Sequence, residues 1–363
     1  MARIRALIED DIPQVAALRS QVFQWRREDS SATREEAIRR VYFHNPFVDA
    51  SAPSLVLEDA REGVVGFMGV SGRRFRLGDS EVRGAVSSSF MVAERWRGLS
   101  GIQLLKQFLA GPQDLAFVDT PNESALDLWA RLGTVTAARE SLFWVRALRP
   151  IRHAVGQLRG GSLSLIARAL TRPLAMSLDA FAVRAKATPF HLSVPESREE
   201  PLTPRDLVRC LADLGIKGCL VPVYDERMLD WLFRNLERAP KGNMLRKVLV
   251  RANTGEVIGW YIRIANPGGV SNVIQLGARE DRYGDLLHHL FYTAWKEGSV
   301  ALTGRAHGYS WEHLSRRGCV FSRRTNQLLI HTRRSEVLTA FEQGLVHLSR
   351  LEGEWWMNQL SDA

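Results

Sequence analysis

Cysteine is scarce in this chain. Three residues, Cys210, Cys219 and Cys319, serve 363 positions, all in the second half. An odd, sparse set of that kind does not make the disulfide framework of a small secreted scaffold. No Cys-x-x-Cys pair and no His-Glu-x-x-His occurs, and His288 and His289 are adjacent rather than one helical turn apart, so no metal site is expected. No charge-free apolar run reaches the roughly 18 residues a spanning helix needs. The opening Met1-Ala-Arg-Ile-Arg-Ala-Leu-Ile-Glu-Asp-Asp lacks the apolar core of a signal peptide, which makes a cytoplasmic location the expectation. Two phosphate-binding signatures are also missing: there is no Gly-Lys-Ser/Thr and no Gly-x-Gly-x-x-Gly, which excludes a Walker loop and a dinucleotide fingerprint.

What remains is ordinary globular composition, 45% hydrophobic and 25% charged, in a length that suits two domains. The net charge of +9 is concentrated between Arg149 and Lys186, where Arg149, Arg152, Arg159, Arg168, Arg172, Arg184 and Lys186 face only Asp179. Such a stretch reads as a solvated helical bridge. It could also meet an anionic membrane surface, an acyl carrier or phosphate.

Hydrophobic periodicity gives the element order. A strand over 4–8 is followed by a helix from Asp10 or Asp11 and a second helix over 35–43, stopped by Asn45-Pro46. Strands are expected over 54–58, 64–70 and 82–92, with turns at Glu62-Gly63 and Leu77-Gly78-Asp79. A helix over 102–109, a strand over 115–119, a helix over 122–132 and a strand over 138–145 complete a βααβββαβαβ series, a mixed α/β layer. The second half repeats the first. Arg227-Met-Leu-Asp-Trp-Leu-Phe-Arg-Asn echoes Ala37-Ile-Arg-Arg-Val-Tyr-Phe-His-Asn. Thr254-Gly-Glu-Val-Ile-Gly-Trp echoes Arg61-Glu-Gly-Val-Val-Gly-Phe, and Trp311-Glu-His-Leu-Ser-Arg-Arg-Gly echoes Leu126-Asp-Leu-Trp-Ala-Arg-Leu-Gly. Three matches in one order at similar spacing imply two copies of one fold: residues 1–148, a basic bridge over 149–200, and residues 201–363.

The segment that carries chemistry is Phe90-Met-Val-Ala-Glu-Arg-Trp-Arg-Gly-Leu-Ser-Gly-Ile. A strand ends near Val92, a glycine-bearing loop follows, and a helix starts near Gly101. A helix N-terminus leaves backbone N–H groups without internal acceptors and favours an anion. Gly98 and Gly101 allow close approach to the backbone, Ser100 lies between them, and Arg95 and Arg97 add charge. This is a candidate pyrophosphate cradle.

In that element order the loop resembles the GNAT superfamily of N-acetyltransferases, whose loop between the fourth strand and third helix reads roughly Gln/Arg-x-x-Gly-x-Gly/Ala. Here it is Arg95-Trp96-Arg97-Gly98-Leu99-Ser100, with Ser100 in the last place and Gly101 after it. The family's later helix, Asn…Tyr-x-x-Leu-Gly, corresponds to Asn122…Trp129-Ala-Arg-Leu-Gly133. The resemblance covers residues 3–146 and, through the repeat, 200–335, and points to a tandem member of the superfamily. It implies acetyl-coenzyme A or another acyl-coenzyme A as donor, held by Val92, Arg97, Gly98, Leu99, Ser100, Gly101, Ile102 and Asn122, and a small amine as acceptor.

The family's usual proton groups are missing: the fourth strand carries Ser87-Ser88-Ser89 in place of a glutamate, and Trp129 stands where a tyrosine is common. The candidate catalytic residues are therefore His44, Ser87 and Glu123, with Asp119 near the end of the fifth strand. Candidate acceptor contacts are Glu28, Tyr42, His44 and Ser88, with Asp29 on the same covering segment. The second copy keeps only Arg282-Tyr-Gly of the loop, beside Asp281 and Asp285, so it is expected to bind no coenzyme and to wall the acceptor site, with His307, Tyr309, Trp355 and Trp356 as candidate lining. Trp355 and Trp356 read equally as an anchor for the C-terminal tail. The expected function is N-acyl transfer in a ternary complex. The alternatives are a silent binding protein of the same fold, a peptidoglycan Fem-type transferase drawing on aminoacyl-tRNA, and an acyl-carrier-protein donor. Apart from the Fem-type case, no nucleic-acid partner is expected.

Overall fold

The computed structural model describes residues 2–22, 31–157, 177–179, 181, 188, 190–237, 244–323 and 327–357. They form two compact units, each discontinuous in sequence. The first gathers Met1–Ser141, Lys217–Pro240 and Arg324–Ala363, and the second Leu142–Ile216 and Lys241–Arg323.

The first unit is built on a sheet in the order β1 (Arg3–Ala6), β2 (Leu55–Asp59), β3 (Gly63–Leu77), β4 (Ser80–Val92), β5 (Leu115–Val118), β15 (Leu329–Thr332) and β6 (Val135–Thr136), with β9 (Leu220–Pro222) paired to β3. The second sheet runs β8 (Ser197–Pro201), β10 (Met244–Ala252), β11 (Val257–Ala265), β12 (Val270–Ala278), β13 (Ala301–Arg305), β7 (Leu142–Ala147) and β14 (Val320–Arg323). The two orders are the same plan. In each, one parallel pair, β4 with β5 and β12 with β13, sits among antiparallel neighbours.

The plan differs from a linear split at residues 148 and 200: Lys217–Pro240, which carries β9, belongs to the first unit, and the late strands are exchanged. β7 follows the first copy's elements in sequence yet pairs with β13 and β14, and β15 follows the second copy's elements yet pairs with β5 and β6. Each copy thus gives its late strand to the other's sheet.

In the first unit, one face of the sheet is closed by α3 (Leu99–Leu109) and α4 (Glu123–Ala130). Met68, Val70, Ala85, Ala116 and Val118 pack there against Leu104, Leu105, Phe108 and Trp129. The opposite face takes α1 (Ile12–Val22) and α2 (Ser31–Tyr42), whose Ile12, Val15, Leu18, Ile38 and Val41 are buried. The entry to α1 is fixed by Asp11, which accepts from the Ile8 N–H at 3.0 Å and pairs with Arg5 at 2.6 Å. The entry to α4 is fixed by Asn122, whose Oδ1 accepts from the Ala125 N–H at 2.9 Å. Both are side-chain answers to the orphan donors of a first turn.

In the second unit, α6 (Pro204–Ala212) starts on a Thr203–Asp206 capping box, and α7 (Tyr283–Lys296) supplies Leu286, Leu287, Leu290 and Phe291 to the core beside Trp144 and Tyr261. Of the basic bridge, α5 (Pro150–Gln157) is described. Arg149 donates to the carbonyls of Ser299 and Trp295, and Arg152 pairs with Asp179 at 3.0 Å. Arg159, Arg168, Arg172, Arg184 and Lys186 lie outside the described residues. Among the described residues no helix is long and apolar enough to cross a membrane.

Candidate active site

The site begins where β4 and β5 part. Their parallel register runs only from Gly84/Leu115 to Val86/Phe117, while β4 continues six residues further to Val92. Past Val86 the β5-side edge of β4 therefore has no strand beside it among the described residues. The Ala93 N–H donates to Val65 O on β3 at 2.8 Å. Peptide groups alternate along a strand, so the Val92 N–H and C=O point to the open edge.

A short 3-10 turn, Glu94–Trp96, then leads into α3. Gly98, at the N-cap of α3, has φ +92° and ψ −114°, a conformation that L side chains rarely adopt. A Cβ built there would meet nothing within 4 Å, so the loop presents bare backbone to open space. Among the described residues no side chain caps α3, and its first intrahelical bond is Ile102 N–H to Gly98 O at 3.2 Å. The N–H groups of Leu99, Ser100 and Gly101 precede that bond at the positive end of the helix dipole.

A cleft of about 560 Å³ is found in the second unit, and one of about 520 Å³ opens at this helix end. The latter is lined by Val92, Arg97, Gly98, Gly101, Asn122 and Arg131, among others. Leu99, Ser100 and Ile102 are not part of its wall, and the Leu99 side chain is 78% exposed. Arg95 is paired with Glu62. Arg97 and Arg131 form no ion pair among the described residues. Bare backbone, unbonded amides and two unpaired guanidiniums fit an extended diphosphate ligand.

The serine run of β4 has a geometry that explains three consecutive hydroxyls. Phe67 pairs with Met91 and Gly69 with Ser88, so Ser89 and Phe90 together oppose Met68, which is a β-bulge. Ser89 carries φ +49°. The bulge breaks the alternation and puts Ser88 and Ser89 on the same partner. Tyr42 lies 3.1 Å from Ser88 Oγ and donates to Ser89 Oγ at 3.0 Å, while Arg19 Nη1 donates to Ser89 Oγ at 2.6 Å. Tyr42 packs directly on Gly69, where any side chain would collide with its ring. Burial raises the pKa of Tyr42, so it keeps its proton. Ser87 alternates to the opposite, α3-facing side with Ala85 and is buried.

Beside this cluster lies a pair of buried carboxyls. Asp119, directly after β5, is fully buried, and Glu354, from the C-terminal segment, is 4% exposed. The Glu354 N–H donates to Asp119 Oδ1 at 2.7 Å, and the Thr120 N–H donates to Glu354 Oε1 at 3.1 Å. A methyl at Gly353 would collide with the Asp119 carboxylate. Burial and the neighbouring Asp119 charge push the Glu354 carboxyl up to about 8, against the Thr120 bonds and the Arg19 charge. The Glu354 charge in turn acts on Tyr42, so hydroxyls and carboxyls share one neighbourhood.

The similarity of this chain to known proteins is structural. No protein-family model and no curated protein matches the sequence. A GCN5-related N-acetyltransferase from Anabaena variabilis superposes with TM-score 0.60 at 12% identity, over 92% of this chain and 74% of that one. One from Kribbella flavida gives TM-score 0.55 at 14% identity, over 92% and 71%. The Saccharomyces cerevisiae N-myristoyltransferase, with bound myristoyl-CoA, gives 0.50 at 9%, over 91% and 77%. This chain has the GNAT fold.

Within the GNAT fold the remaining candidates separate. His44 is exposed just past α2, where its backbone N–H bonds Arg39 O at 3.0 Å. Glu123 is exposed in the first turn of α4. Neither joins the hydroxyl or carboxyl cluster. Glu28 and Asp29 lie outside the described residues. Trp129 is core, packed on Phe108. Trp356 is also core and donates its indole N–H to Leu351 O at 3.1 Å, which is the tail-anchor reading. His307 and Tyr309 stack on each other in the second unit.

There the loop that corresponds to residues 93–101 has its arginines paired with acids. Arg279 pairs with Asp281, and Arg282 pairs with Asp285 and Glu256. Among the described residues no group of three or more His, Cys, Asp or Glu could hold a metal. Arg19 and Glu354 are the members that sequence reading passes over.

Proposed function

We propose that this chain is an N-acyltransferase that moves an acyl group from an acyl-coenzyme A to a small amine at one site, in the first unit. The observation that carries the reading is the bare Gly98 backbone and uncapped α3 terminus, opening on a cleft where β4 has left β5. The N-myristoyltransferase with bound myristoyl-CoA supports a coenzyme A thioester as donor class. Such a donor supplies an activated carbonyl and a thiolate leaving group.

The chain's own residues do the rest. The amides of Leu99 to Gly101 and the side chains of Arg97 and Arg131 hold the diphosphate. The Val92 N–H polarises the acyl oxygen. Tyr42, Ser88 and Ser89 fix the bulge that aims this edge. Glu354, in its ionised form, takes the proton from the attacking amine. The amine nitrogen bonds to the acyl carbon as the carbon–sulfur bond breaks. The departing thiolate takes up the proton that Glu354 has gained, and the carboxylate is restored.

Calorimetric titration with acetyl-coenzyme A tests the reading. One site per chain with micromolar affinity is expected, because the acids at 281 and 285 neutralise the arginines of the second copy's loop. No binding at millimolar concentration, or two equal sites, contradicts it.

A further inference from the structure

Beside a second pocket of the first unit lies a buried cation that forms no ion pair among the described residues. Arg73, on β3, is 5% exposed. Its Nε donates to the Glu352 carbonyl at 2.8 Å, and Nη1 donates to Ser71 Oγ and Gly72 O, both at 2.7 Å. Every one of these acceptors is neutral. Nη2 has no hydrogen-bond partner, and no carboxylate lies within ion-pair distance among the described residues. The guanidinium lies 4.6 Å from the Phe47 ring centroid and 5.5 Å from that of Trp356. Burial lowers its pKa to about 10, which leaves it charged at neutral pH. The carboxyls whose fields reach it are otherwise engaged. Glu352 accepts from Tyr224 and Ser349 at 2.8 and 2.6 Å, and Asp119 from the Glu354 N–H. Burying a cation in this way is costly unless an anion completes the site.

The space for that anion is adjacent. A pocket of about 290 Å³ is lined by Arg73, Phe47, Ala50 and Tyr224, among others, with Arg74 and Arg83 and the acids Asp49 and Glu81 also in its wall. We propose that this pocket receives the acidic end of the acceptor, so that the amine acylated by this protein carries a carboxylate. The inference rests on the proposed acyl transfer for the amine and on Arg73 for the anion. Arg73 lies four residues along β3 from Gly69, the residue beneath Tyr42, which is about 13 Å of strand. Its guanidinium turns back to Ser71, which shortens the span. An amine at the bulge and a carboxylate on Arg73 are therefore separated by a chain of several carbons. That geometry selects an ω-amino acid over an α-amino group.

Three six-carbon probes test this. 6-Aminohexanoate and hexylamine share the amine and differ in the carboxylate; hexanoate has the carboxylate without the amine. With acetyl-coenzyme A, the wild-type kcat/KM for 6-aminohexanoate is expected to exceed that for hexylamine at least tenfold. In Arg73→Gln the ratio should fall to within about twofold. Ala50→Trp, at the exposed rim, fills the pocket without touching the buried charge and should raise KM for 6-aminohexanoate alone, so it decides the matter if Arg73→Gln does not fold. Hexanoate titrated without any acyl donor should bind the wild type and neither variant. Equal use of the two amines, or no hexanoate binding at millimolar concentration, overturns the proposal. Hexanoate binding lost in both variants, with no amine acylated, leaves the anion pocket standing and removes the acyl-transfer reading instead.

Discussion

Glu354→Gln is expected to lower kcat by about 10²–10³-fold, the range that loss of a general base produces, with little change in coenzyme affinity. Glutamine retains the oxygen that accepts from the Thr120 N–H, so the tail stays in place. The wild-type rate should rise with pH up to about 8, where the Glu354 carboxyl ionises, and level off above it; the variant should lose that limb. Stability moves the other way. The ordinary carboxyl value is 4.5 and the folded value is raised to about 8, so between them the native state holds a proton that the unfolded chain has released. Glu354's contribution is fully present below about pH 4.5 and is lost as pH rises to about 8. Chemical unfolding across that window should show a falling slope in the wild type and a flatter one in Glu354→Gln. A full rate with an unchanged pH profile would remove Glu354 from the chemistry.

Gly98→Asp should weaken coenzyme A binding by 100-fold or more. The position has φ +92°, so any side chain strains the loop, at about 1–3 kcal/mol. Gly98→Ala carries the same strain without the charge and is the control. A Cβ there meets no atom within 4 Å, so alanine should cost binding tenfold or less. The remaining loss in the aspartate variant is then repulsion of the diphosphate, and it should shrink as salt is raised. Circular dichroism and the thermal midpoint should be nearly the same for both variants. Aspartate and alanine variants with equal affinity would show that no anion sits at this loop.

The strand–loop–helix turn at Gly98 was legible because its signals are local. A strand end, Gly98, Gly101 and the Asn122 helix cap lie within about thirty residues, and each has a backbone reason that can be read from its own residue type. The paired sheets were legible as a repeat. The exchange of β7 and β15 was not, because both halves carry the same alternation and either sheet would satisfy each strand's pattern. Glu354 was hidden for a related reason. Its partner Asp119 is 235 positions away, and the tail around it has no periodicity to mark a buried face. The Ser87–Ser89 run showed polar residues in a strand but not the bulge, since serine gives no sign of a positive φ. His44 drew attention as a histidine on the covering segment, yet the end of α2 leaves it in solvent. Arg73 sits in a stretch, Gly72-Arg-Arg-Phe-Arg, that reads as a strand leaving the core, whereas β3 runs on through it to Leu77.

The most direct measurement is the amide spectrum of the isotopically labelled chain during titration with coenzyme A. The resonances of Val92 and of Gly98 through Gly101 should shift first and saturate at one equivalent, while those of Arg279 through Tyr283 stay still. Unmoved amides at 98–101 in the presence of millimolar coenzyme A, or equal shifts at both loops, would contradict the placement of the donor on which the whole account stands.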